Sequence, residues 1–474
     1  MPITTDEGFS KYITELFSAG FRAVIEPDNF VDTCTLSLSR FPLGTGFKKS
    51  VDWGDGLFIE YLDNTNPSAV PTGTITVVSS ESPTFFRLTT NTYTSCLVTG
   101  SETLTSLSGA FQNKSKLTTV SFDDLSALTG AQNAFSGCTG LTSLTLPDMT
   151  ACTNFSSTWS SCTSLTSFPN IAMGAPGAQL SSTWFNCSGL TSFPNIDLSN
   201  FTVSGGNVWN GCSGLTSFPA IDLSGLTTFT RMWRDCTGLT SFGLVNTAAA
   251  TSFSEAWDGC TGLTSFPLID AADVTNFFGA WRDCTGLTSF PLLNVTSGTD
   301  FEDAWRNCDS IVTFPALNMS AATDCSNAWR DNAAMTTFSV TDVGNSTCAG
   351  AWQDSGLTGF GSVDLSGVTS LDSAWLNCSS MSSFSPTDVS SCTDFDLAFK
   401  GCSSLGSLGN LQTEAGTDFD EMFSGASSLA TIGAIDTTAT TNSSPNMFLG
   451  TTSLTSPDAA TQTSLASAGG FDFN

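Results

Sequence analysis

From residue 104 onward the apolar positions follow one fixed order: an aromatic, a small residue three places later, then Leu, then Phe or Leu, each three places further on. Ala256–Asp270 (AWDGCTGLTSFPLID) and Ala280–Asn294 (AWRDCTGLTSFPLLN) are the clearest copies. The aromatic anchors are Phe111, Phe135, Trp159, Trp184, Trp209, Trp233, Trp257, Trp281, Trp305, Trp329, Trp352, Trp375, Phe399, Phe423 and Phe448, spaced 23 to 25 residues apart. A period in that range predicts a solenoid, in which each copy buries its apolar face only against its neighbours.

Each column has a physical role. Four residues before the aromatic stands another apolar residue, as in Phe155, Phe229, Phe253, Phe277, Phe301, Cys325, Cys348, Phe395 and Phe419. That spacing puts both on one side of a helical turn. The preceding residue is Asp, Asn, Ser or Thr in many copies (Asn154, Ser252, Asn276, Asp300, Asp324, Asp394, Asp418), which is helix N-cap chemistry. Two places after the aromatic comes Gly, Asn or Asp, types that tolerate the left-handed conformation closing a short helix. Leu-Thr-Ser-Phe then predicts a strand with Leu and Phe inward and Thr and Ser wet. Four places after Phe, an Asp or Asn column (Asp148, Asp197, Asp222, Asn246, Asp270, Asn294, Asn318, Asp342, Asp364, Asp388, Asp436) predicts a turn that bonds free backbone N–H groups. A calcium ladder is the rival reading of this column, weakened by the Asn residues that interrupt it. The predicted architecture is a repeat solenoid of the leucine-rich-repeat type, with a parallel β-sheet on one side and short helical turns on the other. A small β-rich domain precedes it.

Met232–Phe242 (MWRDCTGLTSF) and Ala134–Asp148 (AFSGCTGLTSLTLPD) resemble the BspA-like, mycoplasma-type surface leucine-rich repeats. The resemblance covers about 104 to 457, departing by Trp where the family mostly has Phe. It implies a surface adhesin or host-contact protein, and related arrays occur in viruses; it names no ligand.

Charge narrows the partners. With 14 Lys plus Arg against 43 Asp plus Glu, the formal charge of −29 repels nucleic acid and anionic membrane. No stretch is apolar for long enough to span a bilayer. Met1–Ser10 carries no basic start or apolar run, so no secretory leader is expected, and export would follow another route such as release with an assembled particle.

Ten of the sixteen Cys share one column, three places after the aromatic: Cys138, Cys162, Cys187, Cys212, Cys236, Cys260, Cys284, Cys308, Cys378 and Cys402. Stacked rungs bring such residues close enough for a disulfide. Yet Asn332, Ser355, Ala426 and Thr451 fill the same slot, so the column reads as buried free thiols selected for small size. Trp209, Trp233, Trp257, Trp281 and Trp305, with Cys236, Cys260 and Cys284, are the expected structural core. With no His in the chain, imidazole-dependent triads and His-ligated metals are excluded. A two-carboxylate glycosidase survives only in principle. No CxxC pair and no phosphate-binding glycine loop occurs, so no metal site and no cofactor is expected.

The domain expectation is 1–100 as a β-rich attachment or capping domain, 101–457 as about 15 repeats, and 458–474 as a cap or tail. Asp6–Phe21 has the pattern of a short amphipathic helix, and the Gly-Asp-Gly of Trp53–Gly56 reads as a tight hairpin turn. Trp53–Gly56 also resembles the short signature of PKD-like β-sandwich domains. Arg234, Arg282, Arg306 and Arg330 share the column after the Trp, where they form either a stripe for an acidic glycan or pairs with nearby Asp. The expected function is non-catalytic: a virion (phage) fibre or decoration protein on the particle surface, contacting a host glycan or protein. Residues 1–100 would join other particle proteins, and a homo-oligomer is compatible. The alternatives are a bacterial cell-surface adhesin and an ice-binding protein, the latter prompted by hydroxyl rows such as Thr240, Thr264 and Thr288 with Ser241, Ser265 and Ser289.

Overall fold

Around each buried aromatic, every second backbone N–H leaves its own rung. The N–H groups of Phe253, Glu255, Trp257 and Gly259 donate to the carbonyls of Asn276, Phe278, Ala280 and Arg282 on the next rung, at 2.7 to 2.9 Å. The intervening N–H groups of Ala256, Asp258 and Cys260 close turns onto carbonyls three residues back. An α-helix would return every N–H to the carbonyl four residues back. Half of those donors are committed to the neighbour here, so the expected short helical turns are replaced by a train of turns. No helix occurs among the described residues.

The computed structural model describes residues 104–203, 205–440 and 446–455, and strands between 22 and 99. The Asp6–Phe21 helix, the Trp53–Gly56 signature and the 458–474 tail lie outside the described residues. The chain divides into two compact units, Met1–Leu226 and Thr227–Asn474.

The first unit opens with the strands β1 (Arg22–Pro27), β2 (Cys34–Ser37), β3 (Lys49–Asp52), β4 (Phe58–Tyr61), β5 (Ser68–Ala69), β6 (Ile75–Ser79), β7 (Arg87–Leu88), β8 (Tyr93–Thr99), β9 (Thr119–Phe122) and β10 (Ser143–Thr145). They form a seven-stranded sheet, β10-β9-β8-β1-β6-β3-β4, and a three-stranded sheet, β5-β2-β7. β3 and β4 pair antiparallel with Asp52 opposite Phe58, and the Gly-Asp-Gly segment between them lies outside the described residues. β8 pairs parallel with β9, and β9 with β10 at a shift of one repeat, so the preceding strands share a sheet with the first rungs. Phe111, Phe135, Trp159, Trp184 and Trp209 stack in sequence, with ring centroids 5.0 to 6.3 Å apart.

The second unit repeats the scheme. Trp233, Trp257, Trp281, Trp305, Trp329, Trp352 and Trp375 stack at 5.2 to 5.7 Å, with planes within 11° of parallel. Phe399, Phe423 and Phe448 continue the column. The strand Phe residues form a second column edge-on to the first: Phe266 meets Trp257 at 4.8 Å and 79°, and Trp281 at 5.4 Å and 82°. Edge-to-face contact sets the positive ring rim of one aromatic on the negative face of the other, which adds to area burial.

The parallel sheet of the repeats is fragmentary. Thr313–Phe314 pairs with Thr337–Phe338, and Ser407–Leu408 with Thr431–Ile432, each with the hydroxyl residue exposed and the apolar one buried. A proline follows the inward Phe in Phe266-Pro267, Phe290-Pro291 and Phe314-Pro315, removing the N–H that a longer ladder needs.

Side chains complete the ladder. Asn276, Asp300, Asp324, Asp394 and Asp418 each accept the N–H two residues on through Oδ1. The cap residues therefore do bond free N–H groups, but in an Asx turn and not at a helix start. The second Asp/Asn column acts in the same way, as in Asp222 to Ser224 and Asp364 to Ser366. Two φ-positive positions recur in each rung. One is the expected site two after the aromatic (Gly259, Asp283, Asn307), and the other lies two before it, where Gly, Asn or Asp (Gly109, Asn133, Asn207, Gly279, Asp303, Asn327, Gly350) are interspersed with residues such as Arg231, Glu255 and Leu397.

Replacing Trp281 with Ala should destabilise the second unit by about 3–5 kcal/mol, read from the denaturant midpoint of the full chain. Trp281→Phe should cost less, because Phe399 already fills this column one rung beyond Trp375. An unchanged midpoint for Trp281→Ala would remove the stack from the core.

Candidate functional site

The most charged surface of the second unit is built from three columns around the buried Trp. The positions two before it, one after it and two after it flank the inward indole, and Glu255, Asp258 and Asp303 among them are themselves buried. Arg231, Glu255 and Asp303 occupy the first, Arg234, Asp258, Arg282, Arg306 and Arg330 the second, and Asp235, Asp283 and Asp331 the third. One rung of rise, about 4.8 Å, brings a guanidinium in one copy within reach of carboxylates in the next.

Arg282 is the centre. It forks onto Asp258 through Nε (3.1 Å) and Nη2 (2.7 Å), reaches Glu255 at 2.9 Å, and meets Asp303 at 3.3 Å through Nη1. The Asp258 hydrogen bond, outweighing burial, holds its guanidinium above the usual arginine range. Gly279 leaves room for it, since a Cβ there would stand 3.4 Å from Nη1. The guanidinium also lies 5.8 Å from the Phe278 ring centre. Burial pushes the Glu255 carboxyl up, but Arg231, Arg234 and Arg282 together bring it below the usual range.

The four arginines of the sequence reading form one chain of shared carboxylates. Arg234 and Arg282 share Glu255 and Asp258; Arg282 and Arg306 share Asp303; Arg306 and Arg330 share Asp331. Such a surface has little net charge, and an acidic ligand would compete with built-in carboxylates for each guanidinium. Sequence reasoning missed Arg231, Glu255, Asp258 and Asp303. Aligning the repeats column by column would have found them, because opposite charges recur one period apart.

Further along the same unit the pattern inverts. Asp372, Asp396 and Asp420 occupy one column on successive rungs, with Asp394 and Asp418 two residues before the last two. Burial, then the charges of Asp372, Asp418, Asp420 and Asp394, push the Asp396 carboxyl up to about 6. No group of three or more His, Cys, Asp or Glu that could hold a metal ion occurs among the described residues.

The cysteine column is a column of donors. The thiols of Cys284, Cys308, Cys378 and Cys402 donate to the carbonyls of Trp257, Trp281, Trp352 and Trp375, at 3.0 to 3.2 Å. Asn332 fills the slot and makes the same bond, Nδ2 to the Trp305 carbonyl at 3.1 Å. Ala426 fills the slot with no donor, so small size remains the common rule and the donated bond is what Cys and Asn332 add to it. The fifteen described cysteines are free and buried. Burial pushes the Cys378 thiol up to about 11 and Cys187 to about 12, which keeps the donating proton in place and the nucleophile absent.

With repeat geometry and slot chemistry in place, the comparisons with known proteins are direct. The model of the BspA type leucine-rich repeat region matches six copies across 90–216. A second model, Mycoplasma protein of unknown function DUF285, matches 350–466. The chain carries BspA-type leucine-rich repeats over 90–216. It is also similar to a leucine-rich cell surface protein from Faecalibacterium prausnitzii, whose crystal structure matches with 17% identity, 78% of this chain and 87% of that one covered, and a TM-score of 0.34. Among curated proteins none matches. No helix among the described residues is long and apolar enough to cross a membrane.

Two outcomes follow. A thiol reagent added to the native protein should leave the repeat cysteines unmodified, with reaction appearing only as denaturant opens the rungs; rapid labelling without unfolding would refute the buried-donor assignment. For Asp396, the folded carboxyl binds its proton more tightly than the unfolded one, so stability should rise as pH falls from about 7 through about 6. Asp396→Asn should reduce that rise in denaturation midpoints measured at pH 7.5 and about 5; an unaltered pH dependence would exclude the aspartate column as its cause.

Proposed function

We propose that this BspA-like protein is a non-catalytic recognition protein displayed at a cell surface, where it serves in adhesion. The observation that carries this reading is the repeat itself: its family matches at both ends of the array, and its recurrent side chains are consumed in bonds within a rung and between rungs. The Asx oxygens cap backbone N–H groups, the thiols cap carbonyls, and the arginines are paired with carboxylates. What is left outward is an extended, regular surface, which suits contact over an area better than chemistry at a point.

Neither the fold nor the matches favour a virion fibre over a cell-surface protein, so the particle assignment gives way to the adhesin. The hydroxyl rows support strand cohesion more directly than ice binding. Thr264 and Thr288 each donate Oγ1–H to the carbonyl of the preceding rung's threonine, at 3.2 and 3.1 Å.

Antibody raised against the full chain should label intact source cells, and brief protease treatment of those cells should remove the label. Signal confined to lysed cells would overturn the surface assignment. Attachment of the purified chain to partner cells should persist when Arg234, Arg282, Arg306 and Arg330 are all replaced by Gln, provided the variant remains folded.

A further inference from the structure

The strand side of four adjacent rungs in the second unit differs from the rest of this acidic molecule. Its exposed positions read Thr240, Ser241, Leu244 and Asn246; Thr264, Ser265, Leu268 and Asp270; Thr288, Ser289, Leu292 and Asn294; Val312, Thr313, Ala316 and Asn318. Sixteen outward positions thus carry a single carboxylate and no base, in a chain of net charge −29. Leu244, Leu268 and Leu292 stand one above another and are 60%, 62% and 64% exposed; Val312, on the next rung, is 50% exposed. The rungs are in register here, since Phe242, Phe266, Phe290 and Phe314 stack beneath the face at 5.9 to 6.0 Å.

Three leucines held out at one-rung intervals are not a folding requirement, because the Phe column and the aliphatic column of Val245, Ile269, Leu293 and Leu317 beside them already fill the core. Contiguous exposed apolar surface with a polar rim marks a contact site. The chemistry of the occupant follows from what the face offers. An anionic partner is repelled by the molecule as a whole, and a cationic one is drawn to the Asp372, Asp396 and Asp420 column and not to this face. Addition of a peptide strand is disfavoured, since Pro267, Pro291 and Pro315 interrupt the backbone donors. The threonine hydroxyl protons are spent on the backbone, which leaves their oxygens turned to solvent as acceptors.

We propose that this leucine and threonine face binds an uncharged polysaccharide, lying along the leucine column with its C–H faces on the isobutyl groups and its hydroxyls donating to the threonine oxygens. A polymer of repeating units suits a surface that repeats every rung, about 4.8 Å. Neutrality spares it the cost of stripping water from an ion. The proposal rests on the adhesion reading and names the ligand class for it.

Co-sedimentation of the full chain with insoluble cellulose, chitin and curdlan tests it. The wild-type chain should pellet with at least one of these uncharged polymers, and added salt should not release it. The triple variant Leu244→Ser, Leu268→Ser, Leu292→Ser, whose positions are exposed and whose fold is checked by near-ultraviolet circular dichroism, should bind roughly tenfold more weakly. Arg282→Gln should bind as wild type. Absence of wild-type binding to all three polymers, or equal binding by the triple variant, overturns the proposal. A wild-type dimer that the triple variant dissociates would also overturn it, by making a second copy the occupant. If the triple variant loses polysaccharide binding or never had it, yet still adheres to cells, the adhesion reading stands without this face. Loss of cell adhesion by every form of the chain would sink the adhesion reading itself.

Discussion

The hydrogen bonds that pass from one rung to the next are the constraint on which the rest depends. Around each aromatic, alternate N–H groups are committed to a neighbouring copy, so an isolated repeat would bury unpaired donors and acceptors. Leaving such groups unsatisfied in a core costs about 1–3 kcal/mol each, and a rung presents several of them. The same commitment forbids the helix, requires two left-handed residues per rung, and fixes the columns in register. Regular stacking of aromatics, thiols and Asx residues is a consequence of that register.

Register in turn determines the core. Once the backbone repeats, a large side chain at one position meets its own copy above and below, and indoles stacked 5.2 to 5.7 Å apart with edge-on phenylalanines make a dense aromatic wall. The wall has a cost. The indole N–H groups of Trp257, Trp281, Trp305, Trp329, Trp352 and Trp375 are buried and meet no hydrogen-bond acceptor. Area burial and ring contact must offset that loss at each rung.

Stacking also forces charges into columns, with opposite results along one unit. Where signs alternate between copies, as in Arg234, Glu255, Asp258, Arg282 and Asp303, repetition yields a tied network of little net charge. Where the sign repeats, as in Asp372, Asp396 and Asp420, it yields crowded carboxylates, and Asp396 in their midst holds its proton unusually well. The exposed leucine and threonine face stands apart from both, with neither pairing nor repulsion to account for it.

The sequence by itself determined the period, the inward columns, the absence of imidazole chemistry and the left-handed site two after each aromatic, because those depend on which residue types recur and how often. It also brought out the Asx columns and the free thiols, whose local hydrogen bonding or size is written in the side chain. Tertiary structure alone decided whether the capped turn became a helix, since that depends on whether its N–H groups find carbonyls in the same copy or the next. It decided that the second left-handed site, Gly, Asn or Asp in half of the rungs, persists where Leu397 and Arg231 stand. The partners of the arginines depend on both: Glu255, Asp258 and Asp303 lie 21 to 27 residues from Arg282, about one period, which an alignment of the columns exposes, and the stacking of rungs makes them neighbours.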